Sequence, residues 1–240
     1  TVVVAPGPLD RVVVTPNPAL VEAGHTLQLE ASGQDRFGNV IPGLAFAWQE
    51  TPPRAEEFAM SGTGLIAADT ATGAFANAVK ATTTSEEISK SGSADVRIVA
   101  DELVSFGISP DTAALNVGGL LPFVYEALDQ YGNRFGPELA VTWSILEPTD
   151  STIDDAGRFR AGTRAGAFTV RAVATKRTVT REDTARVDVL PEQMTAVQFV
   201  PSPMEVGASQ SVTISARAVD QHGNPVPAES VRIAQVGGGG

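Results

Sequence analysis

The sequence predicts an all-β chain built as tandem β-sandwiches, two complete and one partial. Three observations predict it. A set of markers recurs in fixed order along the 240 residues, apolar residues alternate with period two, and no amphipathic helix longer than a turn or two can be traced. Composition agrees with folded modules: 42% hydrophobic and 19% charged residues suit a packed core and argue against disorder.

The strongest marker is Asp-x-x-Gly-Asn. It stands at Asp35, Gly38 and Asn39, again at Asp129, Gly132 and Asn133, and again at Asp220, Gly223 and Asn224, with spacings of 94 and 91. Gly24 and Gly118 precede the aspartate by 11 residues and Gly207 by 13. Further upstream, Pro16, Pro110 and Pro201 each end a β-rich run. Downstream come Trp48 and Trp143, then Gly64 with Gly73-Ala74-Phe75, matched by Gly157 with Gly166-Ala167-Phe168. The repeat divides the chain into a first module at 9–100, a second at 101–190 and a partial third at 191–236, with a glycine tail at 237–240. Segment 1–8 is expected to be the last strand of a preceding copy and its linker, because Thr1–Ala5 aligns with Asp95–Val99 and Arg186–Leu190. The chain therefore reads as a window on a longer array.

Counting back from each aspartate by twos gives one inward face per copy. It reads Ala31, Leu29 and Leu27, then Tyr125, Phe123 and Leu121, then Ala218, Ala216, Ile214 and Val212. After the turn, Phe46 shares a face with Trp48, and Val141 and Ile145 share one with Trp143. Val79 and Ala81 follow Phe75, while Val170, Ala172 and Ala174 follow Phe168. A stretch around 55–59 is the one place where a helical turn is expected. Roughly seven short strands in about 90 residues predict an antiparallel sandwich of immunoglobulin type, with Trp48 and Trp143 as core residues filling the centre between the sheets. Such a sandwich buries enough apolar surface without disulfides, which accommodates a cysteine count of zero.

With these residues in place, the chain resembles the bacterial immunoglobulin-like tandem repeats of surface proteins, including the invasin and intimin type. The likeness is carried by Val12-Val13-Val14-Thr15-Pro16, Ile108-Ser109-Pro110, the glycine before the second strand and Asp-x-x-Gly-Asn. It continues through Val141-Thr142-Trp143-Ser144, the run Gly157–Gly162 and the run Gly166–Ala172. Segment 49–60 of the first copy is longer and more polar than that pattern. The resemblance implies spacers, stalks or adhesive tips on cells, secreted enzymes or virions, and so an extracellular or cell-surface location.

Composition excludes several function classes. With 28 acidic and 17 basic residues the net charge is −11, so no domain-wide nucleic-acid footprint exists. Absent cysteine removes thiolate metal sites and cysteine nucleophiles. No apolar run approaches the ~18 residues of a membrane span, so no direct membrane insertion is expected of this segment. His25 and His222 fall at non-equivalent positions of different repeats, and no nucleophile elbow, zinc-protease or phosphate-loop motif occurs. No enzyme activity and no cofactor are expected.

The Asp-x-x-Gly-Asn motif is read as a structural turn. Aspartate bonds the backbone two residues on, and glycine and asparagine accept positive φ. A calcium loop would need more carboxylates at alternate positions. Asp150, Asp154 and Asp155 form a second acidic loop, read as solvated. Segment 158–186 is locally basic, and Arg158, Arg160, Arg164, Arg171, Lys176 and Arg177 make a candidate partner-binding face for an acidic neighbour or anionic glycan, set against an ordinary solvated surface. Lys80, Lys90 and Lys176 are not placed beside buried acids, so no isopeptide cross-link is expected.

The joins at 98–103 and 189–194 are short, and the second contains Pro191. They predict an end-to-end rod, each copy adding about 35–45 Å at ~3.3 Å per residue. The leading expectation is a non-catalytic stalk or spacer. The alternatives are a filament or virion-fibre subunit completed by strand exchange, and a glycan-binding accessory module. Expected partners are other copies of the repeat or chain, with surface polysaccharide or a host or cell receptor beyond them.

Overall fold

The computed structural model describes residues 5–54, 56–200, 207, 209–227 and 232–233. The expected opening strand falls largely outside these residues, as do Pro201 and the glycine tail. The chain is all-β, built of immunoglobulin-like β-sandwiches.

Among the described residues the first copy holds nine strands: β1 (Arg11–Thr15), β2 (Ala19–Glu22), β3 (Thr26–Gln28), β4 (Glu30–Gln34), β5 (Ala47–Glu50), β6 (Phe58–Met60), β7 (Leu65–Ala68), β8 (Gly73–Ser85) and β9 (Ile88–Val99). The second repeats them as β10 (Ser105–Ser109), β11 (Thr112–Asn116), β12 (Leu120–Pro122), β13 (Val124–Leu128), β14 (Ala140–Ile145), β15 (Thr152–Ile153), β16 (Arg158–Arg160), β17 (Gly166–Lys176) and β18 (Val179–Leu190). The third shows β19 (Ala196–Val200) and β20 (Ser215–Val219).

Strand order is the same in both complete copies. Sheets β1-β4, β2-β9-β8-β5 and β3-β7-β6 in the first match β10-β13, β11-β18-β17-β14 and β12-β16-β15 in the second. The pair β19-β20 corresponds to β1-β4. One expectation needs correcting. The sandwich is not purely antiparallel, because β2 runs parallel to β9 and β11 parallel to β18. The physical reason is the proline that ends β1 and β10. Proline has no N–H to continue the ladder, so the chain leaves one sheet at Pro16 or Pro110 and joins the other edge as β2 or β11.

Contacts divide the chain into two compact units. One holds Thr1–Ser105 with Ala127–Glu138, and the other holds Phe106–Glu126 with Leu139–Gly240. The core of the first gathers Val12, Val14, Leu29, Phe58, Ile66, Val79, Val96 and Ile98. That of the second gathers Ile108, Phe123, Phe159, Phe168, Val170, Val187 and Val189. Trp48 and Trp143 are half-buried and pack against these clusters, while Phe58 and Phe159, 1% and 0% exposed, occupy the middle. Each indole lies over a glycine with positive φ. A Cβ on Gly64 would come within 2.8 Å of the Trp48 ring, and one on Gly157 within 2.9 Å of Trp143. Those glycines are the sequence markers downstream of each tryptophan.

The inward faces hold at Leu29, Phe123 and Ala218, which are buried. In the third copy Ile214 and Val212 are exposed and precede β20, since no facing sheet covers them among the described residues. The expected helical turn around 55–59 is a turn at Glu56 and Glu57 running into β6, with the Glu57 and Phe58 N–H groups donating to the Arg54 carbonyl.

Candidate functional site

The three Asp-x-x-Gly-Asn loops follow β4, β13 and β20. Each closes in the same way. The aspartate N–H donates to the asparagine carbonyl at 3.0 Å in all three, and the glycine N–H donates back to the aspartate carbonyl at 3.0–3.1 Å. Gly38, Gly132 and Gly223 have φ of 85, 84 and 83°, the left-handed region where a Cβ is strained. Asp35, Asp129 and Asp220 are buried.

The carboxylates are saturated by protein donors. One oxygen of Asp129 accepts the N–H groups of Tyr131 and Asn133 at 2.9 and 2.8 Å. Its other oxygen accepts the Asn133 carboxamide at 2.8 Å and the Asp101 N–H at 3.1 Å. Asp35 makes the same four bonds with Phe37, Asn39 and Gly7, and Asp220 makes them with His222, Asn224 and Glu192. Donors filling the lone pairs favour the ionised form. The Asn39 carboxamide, with Gly7, holds Asp35 well below the usual carboxylate range. Burial raises Asp129 and Asp220, but the asparagine and backbone donors outweigh it, and Asp220 is pulled down to about 2.

One donor in each set comes from the segment entering the copy. Gly7, Asp101 and Glu192 each stand 28 residues before their aspartate. The linker is thereby tied to the loop. The asparagine adds a second tie, across copies. Asn133 accepts the Thr72 N–H at 3.2 Å and donates to the Thr70 carbonyl at 2.7 Å, both in the last turn before β8 of the first copy. Asn224 accepts the Ala165 N–H at 2.9 Å and donates to the Thr163 carbonyl at 2.8 Å, at the matching point before β17. The second and third loops are therefore two-sided clasps, each holding its own linker by aspartate and the end of the previous copy by asparagine. This explains why loop 127–138 lies in one compact unit with the first copy.

Other groups gather at the first clasp. The Gln130 carboxamide donates to Asp101 at 2.6 Å, and His25 Nε2 lies 3.2 Å from the same carboxylate. Tyr131 packs over Gly24, where a Cβ would come within 2.6 Å of the phenol oxygen. Glu22, His25 and Asp101 bring one donor atom each within 4.8 Å of one another and offer a mixed nitrogen–oxygen set for a cation. At the second clasp Gln221 donates to Glu192, and His222 Nε2 stands 4.0 Å from it. Both histidines of the chain thus sit beside a linker carboxylate, a placement that sequence reasoning missed. The constant spacing of 28 residues was the signal that could have found the linker partners.

The candidate basic face does not form one surface. Arg158 and Arg160 point outward from the β12-β16-β15 sheet on either side of buried Phe159. Arg171 lies on β17 in the other sheet, between buried Val170 and Ala172, and pairs with Glu182. Both sheets turn inward onto one core, so these residues look away from each other. Lys176 ends β17 and Arg177 follows it in the hairpin, while Arg164 reaches the Pro148 carbonyl at 3.4 Å. Alternation set the outward direction correctly but not the sheet. The acidic loop is also occupied. Asp150 accepts the Thr163 N–H and hydroxyl at 2.6 and 2.7 Å, which pulls its carboxyl down, and Asp154 accepts the Ala156 and Arg158 N–H groups.

No protein-family model matches the chain, and no curated protein matches it in sequence. Solved structures do resemble it in fold. The Escherichia coli adhesin FdeC is 18% identical, with 93% of this chain and 78% of that one covered and a TM-score of 0.44. InvD of Yersinia pseudotuberculosis is 14% identical, with 90% and 71% covered and a TM-score of 0.44. The S-layer protein SbsC is 16% identical, with 92% and 32% covered and a TM-score of 0.32.

Proposed function

We propose that this chain is a non-catalytic scaffold, a stiff spacer of tandem sandwiches in a bacterial surface or secreted protein. The clasp carries this reading. It is built twice with the same atoms, from Asn133 to Thr70 and Thr72 and from Asn224 to Thr163 and Ala165. A loose string of domains has no use for a buried loop carboxylate that takes a linker N–H as one of its four donors. A spacer does, because each hydrogen-bonded joint removes freedom from the link between copies. The extracellular placement follows the resemblance of the repeats to bacterial surface immunoglobulin-like modules.

Small-angle X-ray scattering of the full chain tests the proposal. An elongated, stiff particle is expected. A compact particle, or the profile of freely jointed beads, would overturn it.

A further inference from the structure

The first copy carries the same loop as the other two, but no described residue covers its outer half. The Asn39 carboxamide makes one hydrogen bond among the described residues, to Asp35 at 2.9 Å. Asn133 and Asn224 make three each. Burial follows the same order: Asn39 is exposed, Asn133 half-buried and Asn224 buried. Phe37 stands where Tyr131 covers Gly24 in the next copy, and it is 73% exposed. Among the described residues its ring partner is the Arg36 guanidinium, 4.4 Å from the centroid. A hollow of about 440 Å3 opens between segment 7–10 and the side of Asp35, Arg36 and Phe37. The inner half of the clasp is nonetheless complete, with Gly7 tied to Asp35.

We infer that Arg36, Phe37 and Asn39 form a docking surface for the end of another repeat of this kind. The occupant presents a backbone carbonyl for the Asn39 Nδ2, a backbone N–H two residues later for its Oδ1, and a glycine corner for the Phe37 ring. Those are the groups that Thr70, Thr72 and Gly24 present to the second loop. The inference rests on the joint reading above and extends it to a surface that no described residue covers.

The register of the linker sets the test. Gly7 and Glu192 occupy the same place before their aspartates, so residues 101–191 followed directly by 7–240 give a chain in which Thr163 and Ala165 of the added copy face Asn39. The exchange rate of the Asn39 side-chain amide protons is read by NMR in this chain and in the 240-residue protein. Exchange at least tenfold slower in the extended chain, approaching that of Asn224, is expected. An unchanged Asn39 rate beside a slow Asn224 would overturn the docking surface alone. Fast exchange at both Asn133 and Asn224 in the 240-residue protein would instead overturn the joint, and the inference with it. A second extension, residues 1–100 followed by 7–240, repeats the measurement with the first copy as occupant. Failure of both extensions to fold would also count against the surface, since each keeps the native register.

Discussion

Replacing Asn133 with alanine isolates the joint from the turn. The substitution removes three hydrogen bonds, one to Asp129 within the loop and two to Thr70 and Thr72 of the previous copy. Asn39→Ala removes only the bond to Asp35. A typical protein hydrogen bond contributes about 0.5–1.5 kcal/mol, and the exposed pair across the joint belongs in the lower part of that range. The expected cost is about 1.5–3 kcal/mol for Asn133→Ala against about 0.5–1 for Asn39→Ala. Trp48 and Trp143 allow each copy to be followed separately. In a Trp143→Phe background, Trp48 fluorescence reports urea unfolding of the first copy. With a urea slope of about 1–2 kcal/mol per molar, Asn133→Ala should lower that midpoint by about 1 M and Asn39→Ala by half of that or less. The notable feature is direction: a residue of the second copy destabilises the first. Equal shifts from the two substitutions would refute the clasp.

Two further outcomes are expected. Gly157→Ala should cost about 2–4 kcal/mol, because φ of 74° strains any Cβ and the new atom meets both the Phe123 carbonyl and the Trp143 ring at 2.9 Å. Urea unfolding followed by Trp143 fluorescence measures it, and a loss under about 1 kcal/mol would contradict the packing. Acid should loosen the joints in a defined window. Carboxylates held low in the folded state contribute stability that is complete above their unfolded value of 3.8 and is lost as pH falls toward the folded one, about 2 for Asp220. The urea midpoint should be level from pH 7 to about 5 and fall below about 4, less steeply in Asp129→Asn. A midpoint unchanged down to pH 2.5 would be inconsistent with the four-donor loops.

Much of the sandwich was legible because it is local. Alternation around Leu29 and Phe123 marks the inward face, and the turn chemistry of Asp-x-x-Gly-Asn is written within five residues. What was not legible depends on distant partners. Thr70 and Asn133 are 63 residues apart, and nothing in either neighbourhood announces the other. Arg158 and Arg171 both alternate outward, but a period of two does not say to which sheet a strand belongs. Phe58 enters the core directly after a turn that closes on the Arg54 carbonyl, in the stretch where a helical turn was expected. Even the parallel pairing of β2 with β9 had its sign in Pro16, whose missing N–H ends one ladder and sends the chain to another.

The linker half of the clasp uses a main-chain N–H, and that choice has an evolutionary consequence. Gly7 has no side chain while Asp101 and Glu192 carry carboxylates, yet each supplies the same main-chain donor to the same carboxylate oxygen. Any residue except proline qualifies at that place. Across the joint the Thr70, Thr72, Thr163 and Ala165 contacts are also main-chain groups. The coupling standard is therefore nearly independent of the parts it couples. Copies can diverge, be duplicated or change places by recombination, and the seam still closes as long as one aspartate, one glycine and one asparagine survive.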